Sequence, residues 1–320
     1  MKVLITGAAG FIGSNLFNKL CLEGYNVYGI DNLNDDLYSS EIKKERVENL
    51  LNKNGTFENC DLFSPRLDNI FSENEFDVVV HLAAHAGVRP SIKKPEQYYR
   101  NNVLGTLHLV EIMIKSGCDK LVFASSSSVY GNCKEMEFKE DLVGLQPISP
   151  YAATKLACEE MLYMFHKLSN MNITCLRFFT VYGPEQRPDL AIHKFTDKLL
   201  EGEVINVYGD GHNVRDYTYI DDIVDGIKSA INYTLYNTDV YEIFNLGGGE
   251  PISISEMIRT IACELGKIPN IVHLPMQPGD VEKTVSNCDK AKLLLSYKPR
   301  VSFKEGISKF IRWKLKKLEK

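Results

Sequence analysis

The apolar run Val3-Leu4-Ile5 leads through Thr6 into Gly7-Ala8-Ala9-Gly10-Phe11-Ile12-Gly13, and from Phe11 a helical apolar pattern continues to about residue 22. A run that short and apolar suits a buried parallel strand at residues 2–6, so the glycines fall on a strand-to-helix turn. In such a turn Gly7 permits the tight bend, Gly10 lets the backbone approach a pyrophosphate, and Gly13 allows the helix to lie close to the sheet. Phosphate charge placed there meets the free N–H groups and the positive end of the helix dipole.

A second strand pattern at residues 25–31 ends in an acid, Asp31, about two dozen residues after the first glycine. A carboxylate at that place can accept both adenosine ribose hydroxyls and would repel a 2'-phosphate, so the expected cofactor is NAD rather than NADP. Asp31 is also open to reading as a cap or turn former. Asp61 and Leu62, in Asn59-Cys60-Asp61-Leu62, stand where an acid meets the adenine amino group. The run Val78-Val79-Val80-His81-Leu82 leads into Ala83 and Ala84, whose small side chains leave room for cofactor, and Leu82 borders the same place. Strands alternate with helical stretches through the first half of these 320 residues, which predicts an α/β doubly wound parallel sheet covered on both faces.

Several classes are excluded. A net charge of −5 argues against nucleic acid, and any anionic ligand must be held by a few local cations. The eight cysteines form no C-x-x-C pair and no metal-ligand spacing with histidine, so reduced, mostly buried thiols and no metal are expected. A strand beginning at residue 2 leaves no room for a signal peptide, and no apolar run approaches the length of a membrane span. A cytoplasmic protein without stable membrane insertion is the expectation. The tail at residues 310–320 is basic and amphipathic; it reads as a terminal helix docked by Phe310 and Trp313, or as a contact with an anionic membrane surface.

Chemistry enters with Ser125-Ser126-Ser127-Ser128-Val129-Tyr130-Gly131 after an expected strand at 120–124, and with Tyr151-Ala152-Ala153-Thr154-Lys155 behind Pro150. Residues four apart share a helix face, so the phenol of Tyr151 and the ammonium of Lys155 can point at one place. A free tyrosine, with a pKa of about 10, is a poor base near neutrality, and a neighbouring ammonium favours its phenolate. A helix-start tyrosine and a surface lysine are the plainer alternative.

Together these motifs resemble the extended short-chain dehydrogenase/reductase superfamily, in its nucleotide-sugar epimerase and dehydratase branch, over essentially the whole chain. The resemblance implies a Rossmann domain at residues 1–180, with a returning strand near 240–246, interleaved with a smaller α+β carboxy-terminal substrate domain at 181–320. It implies cofactor contacts from Phe11, Ile12, Asn102 and Phe178 beside the motif residues, with Asn102 equally readable as a helix cap. Ser126 matches the serine or threonine that hydrogen-bonds the reacting sugar hydroxyl. Tyr151 is then the base for transient C4 oxidation, the substrate is a UDP-sugar, and a homodimer is common in the family.

On the substrate side Arg215 matches an arginine on the diphosphate and Asp280 an acid near the uridine ribose. Gln277 replaces an expected arginine, for which Arg89 is a substitute or else a surface residue. Relatives that are 4,6-dehydratases use an Asp-Glu pair where this chain has Ser127 and Ser128, and the UDP-glucuronate decarboxylases carry a glutamate at the position of Ser128. Two stretches, 125–131 and 177–189, are similar to the UDP-glucuronate 4-epimerases. They offer hydroxyls from Ser127, Ser128 and Thr180 and a guanidinium from Arg187, a set suited to a C6 carboxylate. Arg187 is open to a second reading, a loop arginine paired with Asp189. A 4-epimerase of a neutral or N-acetylated UDP-hexose stays open as an alternative. So does a non-catalytic NAD-binding regulator, which would have no need of Tyr151, Lys155 and Ser126 together.

Overall fold

The computed structural model describes residues 1–50, 55–133, 135–275 and 283–319. Its strands, in chain order, are β1 (Lys2–Thr6), β2 (Asn26–Asp31), β3 (Gly55–Asn59), β4 (Val78–His81), β5 (Lys120–Ser126), β6 (Asn172–Phe178), β7 (Thr180–Tyr182), β8 (Ile205–Tyr208), β9 (Val214–Tyr219), β10 (Tyr241–Leu246), β11 (Pro251–Ser253) and β12 (Ile271–Leu274). Among the described residues seven of them form one sheet in the order β10-β6-β5-β4-β1-β2-β3. Every pairing in it is parallel. This is the doubly wound α/β arrangement expected of alternating strands and helices.

Side chains alternate across the pleat, and the two cores divide accordingly. Val3, Ile5, Val78 and Val80 face one side, with the helices Phe11–Leu22 and Ile220–Tyr236. Leu4, Val79, Leu121 and Phe123 face the other, with the helices Arg66–Glu73, Gly105–Ser116 and Pro150–Ser169. Burial on both faces explains why these strands read as continuous apolar runs. Strand β5 is two residues longer than predicted, because Ser125 and Ser126 stay in register with Arg177 and Phe178 of β6. The segment Tyr99–Leu104, for which the sequence carries no signal, is a π-helical turn leading into Gly105–Ser116.

Leaving β6, the chain forms β7, β8 and β9, returns to the main sheet when β10 pairs with β6, and then adds β11 and β12 to complete a small sheet of order β11-β9-β7 and a strand pair β12-β8. The buried carboxylate of Asp216 ties these pieces together. It accepts from the backbone N–H groups of Gly248 (2.8 Å), Gly249 (3.3 Å) and Ser286 (3.1 Å), and from the Ser286 hydroxyl. The helix Phe303–Leu318 closes the fold. Phe310 is fully buried, Trp313 packs on the same core, and Lys314 and Lys317 reach Asp197 (2.6 Å) and Glu45 (2.7 Å). The docked-helix reading of the tail therefore holds. Among the described residues no helix is long and apolar enough to cross a membrane.

Because Phe310 carries that docking from inside the core, Phe310→Ala should cost about 3–5 kcal/mol of stability. Urea denaturation checks this, and a loss under about 1 kcal/mol would mean the helix is peripheral to the fold.

Candidate active site

A cleft of about 480 Å³ opens at the carboxyl ends of the strands, lined by Thr6, Asp31, Leu82, Ser126 and Phe178 from β1, β2, β5, β6 and the exit of β4. The strand order reverses between β1 and β4, which is where open α/β sheets leave a crevice for ligands.

One wall is the glycine turn. Gly7 has φ +72°, and a Cβ there would lie 2.7 Å from the Ala83 nitrogen; a Cβ on Gly13 would lie 2.1 Å from the Gly7 oxygen. Strand exit, turn and helix are thus in backbone contact that only glycine permits. The helix Phe11–Leu22 begins at Gly10 with no side chain capping its first N–H groups, so its amino end stays open to an anion. Asp31 sits at the end of β2, accepting from the N–H of Ala9 (3.2 Å) and of Leu33 (2.8 Å), with Lys43 Nζ at 3.8 Å. Gly7, Gly10, Phe11, Ile12, Gly13, Asp61, Leu62, Ala83 and Ala84 complete this wall. The Asp61 carboxylate accepts from Asn32 Nδ2 (2.6 Å) and the Phe63 N–H (2.8 Å). An open helix terminus, glycines without room for Cβ and a carboxylate at the second strand end fit NAD.

The opposite wall carries Ser126, Tyr151 and Lys155, brought to one cleft from the end of β5 and the first turns of Pro150–Ser169. Ser149 caps that helix by accepting from the Ala152 N–H (3.2 Å), with Pro150 at its first position. Lys155 is buried and donates to the Ala124 carbonyl (2.7 Å) over the Phe123 ring, and burial pushes its ammonium down to about 8. Burial raises the Tyr151 phenol above its ordinary value, opposed by a hydrogen bond from Ser126 and by the charge of Arg187. Arg187 is thus a cation acting on the phenol that the sequence reading did not name for that role.

Ser127, Ser128, Thr180 and Arg187 line the same cleft. Arg187 is paired with Asp189 through Nε (2.9 Å) and Nη2 (2.6 Å), which leaves Nη1 outside that pair. The pairing with Asp189 is present, and the arginine also lines the cleft. Burial works to lower its pKa, but the Asp189 hydrogen bonds and charge outweigh that and raise it.

Three expected site residues are not on the lining of this cleft. Asn102 is buried behind the cleft, where its carboxamide accepts from the His85 N–H (2.8 Å) and donates to the His85 carbonyl (3.0 Å) and Thr154 Oγ1 (3.0 Å). It joins the exit of β4 to the Tyr151 helix. Arg89 lies over the Tyr208 ring at 5.1 Å, and Arg215 donates to the Val214 carbonyl (2.9 Å); neither lines the cleft. Gln277 and Asp280 fall outside the described residues. Conversely, Asn34, Tyr38, Lys43, His85 and Asn101 line the cleft without having been found in the sequence. Tyr38 precedes and Lys43 belongs to a helix, Ser40–Glu48, whose buried residues are both cations, so an apolar period had nothing to register there.

Among the described residues no cluster suits a metal, and all eight cysteines are free, most of them buried. The family model described as GDP-mannose 4,6 dehydratase matches residues 4–310. A UDP-glucuronate 4-epimerase of Thermodesulfobacterium geofontis is 40% identical over 319 residues, which is 99% of this chain and 97% of that one. The crystal structure of UDP-glucuronic acid 4-epimerase from Bacillus cereus, in complex with UDP-glucuronic acid and NAD, is similar with a TM-score of 0.92 at 37% identity, over 99% of this chain and 100% of that one. UDP-glucose 4-epimerase from Thermotoga maritima, with UDP-glucose, is similar with a TM-score of 0.89 at 32% identity, over 99% and 100% of the two chains.

The depressed Lys155 value has a consequence for stability. Between about 8 and its ordinary 10.5 the unfolded chain holds a proton on Lys155 that the folded chain has released. Stability must then rise with pH through that window, by on the order of 3 kcal/mol from this group, and the burial penalty is complete below about 8. Lys155→Met should lack the rise. Thermal unfolding of both cofactor-free proteins across the window checks it, and parallel profiles would remove the assignment.

Proposed function

The chain belongs to the family of the GDP-mannose 4,6 dehydratase model, among the extended short-chain dehydrogenases/reductases, and within it we propose an NAD-dependent 4-epimerase interconverting UDP-glucuronate and UDP-galacturonate through a transient 4-keto sugar. The observation that carries the reading is the convergence of Ser127, Ser128, Thr180 and Arg187 on the cleft that also holds Tyr151 and the glycine turn. Three hydroxyls and a guanidinium are donors suited to a carboxylate, and a neutral hexose has no use for the charge.

Bound NAD supplies reversible oxidation and reduction at sugar C4. In this reading Asp31 holds the adenosine ribose and the open amino end of Phe11–Leu22 holds the pyrophosphate. Tyr151 Oη takes the proton of the C4 hydroxyl and later returns it, with Ser126 orienting that hydroxyl. Burial works against the phenolate, and the Ser126 hydrogen bond and the charge of Arg187 work toward it. The carboxylate donors have a further task, since a 4-keto uronate is a β-keto acid that loses carbon dioxide when its carboxylate bond aligns with the carbonyl π system. Holding the carboxylate out of that alignment preserves the carbon. One observation favours a neutral UDP-hexose instead: Asp189 already engages two of the Arg187 nitrogens. The reading also includes a cytoplasmic homodimer, supported by the exposed Tyr163, Met164 and Leu168 on the Tyr151 helix.

Purified protein should turn UDP-glucuronate into UDP-galacturonate, followed by NMR, with no cofactor added, and should release NAD on denaturation. Recovery of NADP, or a need for a second reductant, would overturn the reading. Tyr151→Phe should keep the fold and lower turnover by about two to four orders of magnitude, and activity within a few-fold of the parent would displace Tyr151 as the base.

Arg187→Ala leaves the Asp189 carboxylate facing the sugar carboxylate, at a cost on the order of 2–5 kcal/mol. Efficiency on UDP-glucuronate should fall roughly thirty-fold to a few thousand-fold, with much smaller loss on UDP-glucose and some release of carbon dioxide. Equal losses on the two sugars, without carbon dioxide, would assign Arg187 to the diphosphate or to the fold.

A further inference from the structure

Arg46 lies outside the cleft lining and is 4% exposed, yet it touches three pieces of the surrounding structure. Its Nη1 donates to the carbonyl of Ala9 in the glycine turn (3.2 Å) and to Tyr38 Oη (3.0 Å). Its Nη2 donates to the carbonyl of Glu185 (2.5 Å), whose carboxylate stands 3.8 Å from Arg46 Nε. Glu185 is two residues before Arg187 and holds φ +64°, a left-handed conformation that is strained for a non-glycine residue and persists only where its surroundings enforce it. Arg46 supplies such a restraint. The second route runs through Tyr38, whose ring has the Arg46 guanidinium at 5.6 Å and the Arg187 guanidinium at 5.8 Å.

We propose that Arg46 is a positioning residue for substrate selection, which by fixing the Glu185 backbone and the Tyr38 ring aims Arg187 into the cleft and so sets the preference for an acidic over a neutral sugar. The inference rests on the glucuronate reading of the site. Arg46 would act without touching substrate, and its link to Ala9 fastens the carboxylate side of the site to the pyrophosphate side. A purely structural arginine would affect every ligand of the cleft alike.

The test compares UDP-glucuronate with UDP-glucose, which differ only at C6. Dissociation constants are measured by calorimetry on NAD-loaded protein carrying Tyr151→Phe, so that neither ligand turns over. Added Arg46→Met should weaken UDP-glucuronate by roughly tenfold or more and UDP-glucose by no more than two- or three-fold. Arg46→Lys, which keeps the charge but loses the fork of donors, should fall between. If Arg46→Met does not fold, Arg46→Lys alone decides, with a selective several-fold loss on UDP-glucuronate as the supporting result. Equal weakening of the two ligands, or none, overturns the proposal. A parent that binds both sugars equally would remove the glucuronate reading, and the inference with it.

Discussion

The buried ion pair between Glu159 and Arg177 sets where the reacting groups stand. Tyr151, Lys155 and Glu159 recur at four-residue intervals on Pro150–Ser169 and share a face. At the far end of that face Glu159 accepts from Arg177 Nε (3.0 Å) and Nη2 (2.7 Å) on β6, and from the Ser125 hydroxyl on β5. Both charged side chains are within a few per cent of complete burial. Removing either partner would strand a charge in the interior, so helix and strands are bound to one arrangement. Ser125 precedes Ser126, and the bond that locks the helix thereby also locks the strand end from which the serine turn departs. Arg177 extends the tie through the Tyr130 ring (4.8 Å), whose hydroxyl donates to Asn245 of β10 (2.7 Å).

Much of the site was legible because it obeys short-range rules. The glycine turn, Asp31, Ser126, Tyr151 and Lys155 are each dictated by a local backbone demand or a helical interval, and all reach the cleft. What escaped depends on contacts distant in sequence. Asn102 has a motif neighbour's spacing, but the π-helical turn at Tyr99–Leu104 carries it behind the wall and puts Asn101 on the lining instead. Tyr38 and Arg46 belong to a segment without apolar periodicity; their partners Glu185 and Arg187 lie about 140 residues away, as the 139-residue separation between Arg46 and Glu185 illustrates. Charge pairing between partners so far apart in sequence, unlike the local Arg187–Asp189 pair, leaves no trace in a single sequence until both partners are placed.

Electrostatics in the cleft follow from dryness as much as from pairing. Burial pushes the His81 imidazole down to about 3, so it stays neutral between Thr6 Oγ1 (2.6 Å) and Thr106 Oγ1 (3.0 Å) and adds no charge beside Lys155. Arg187, itself held by Asp189, is a positive charge that acts on the Tyr151 phenol across the cleft. In the proposed reaction one guanidinium would then serve both the base and the sugar carboxylate.

The return of β10 to the edge of β6 has a consequence for biosynthesis. Strand β6 ends at Phe178 and its partner begins at Tyr241, so more than sixty residues must leave the ribosome before the outer hydrogen-bonding edge of β6 is covered. Parallel pairing across such a gap is slow, because loop closure must precede any gain from contact. Until then the nascent chain displays an apolar strand edge able to pair with another chain. Between synthesis of Phe178 and docking of Tyr241–Leu246 that edge therefore stays open to pairing with another chain.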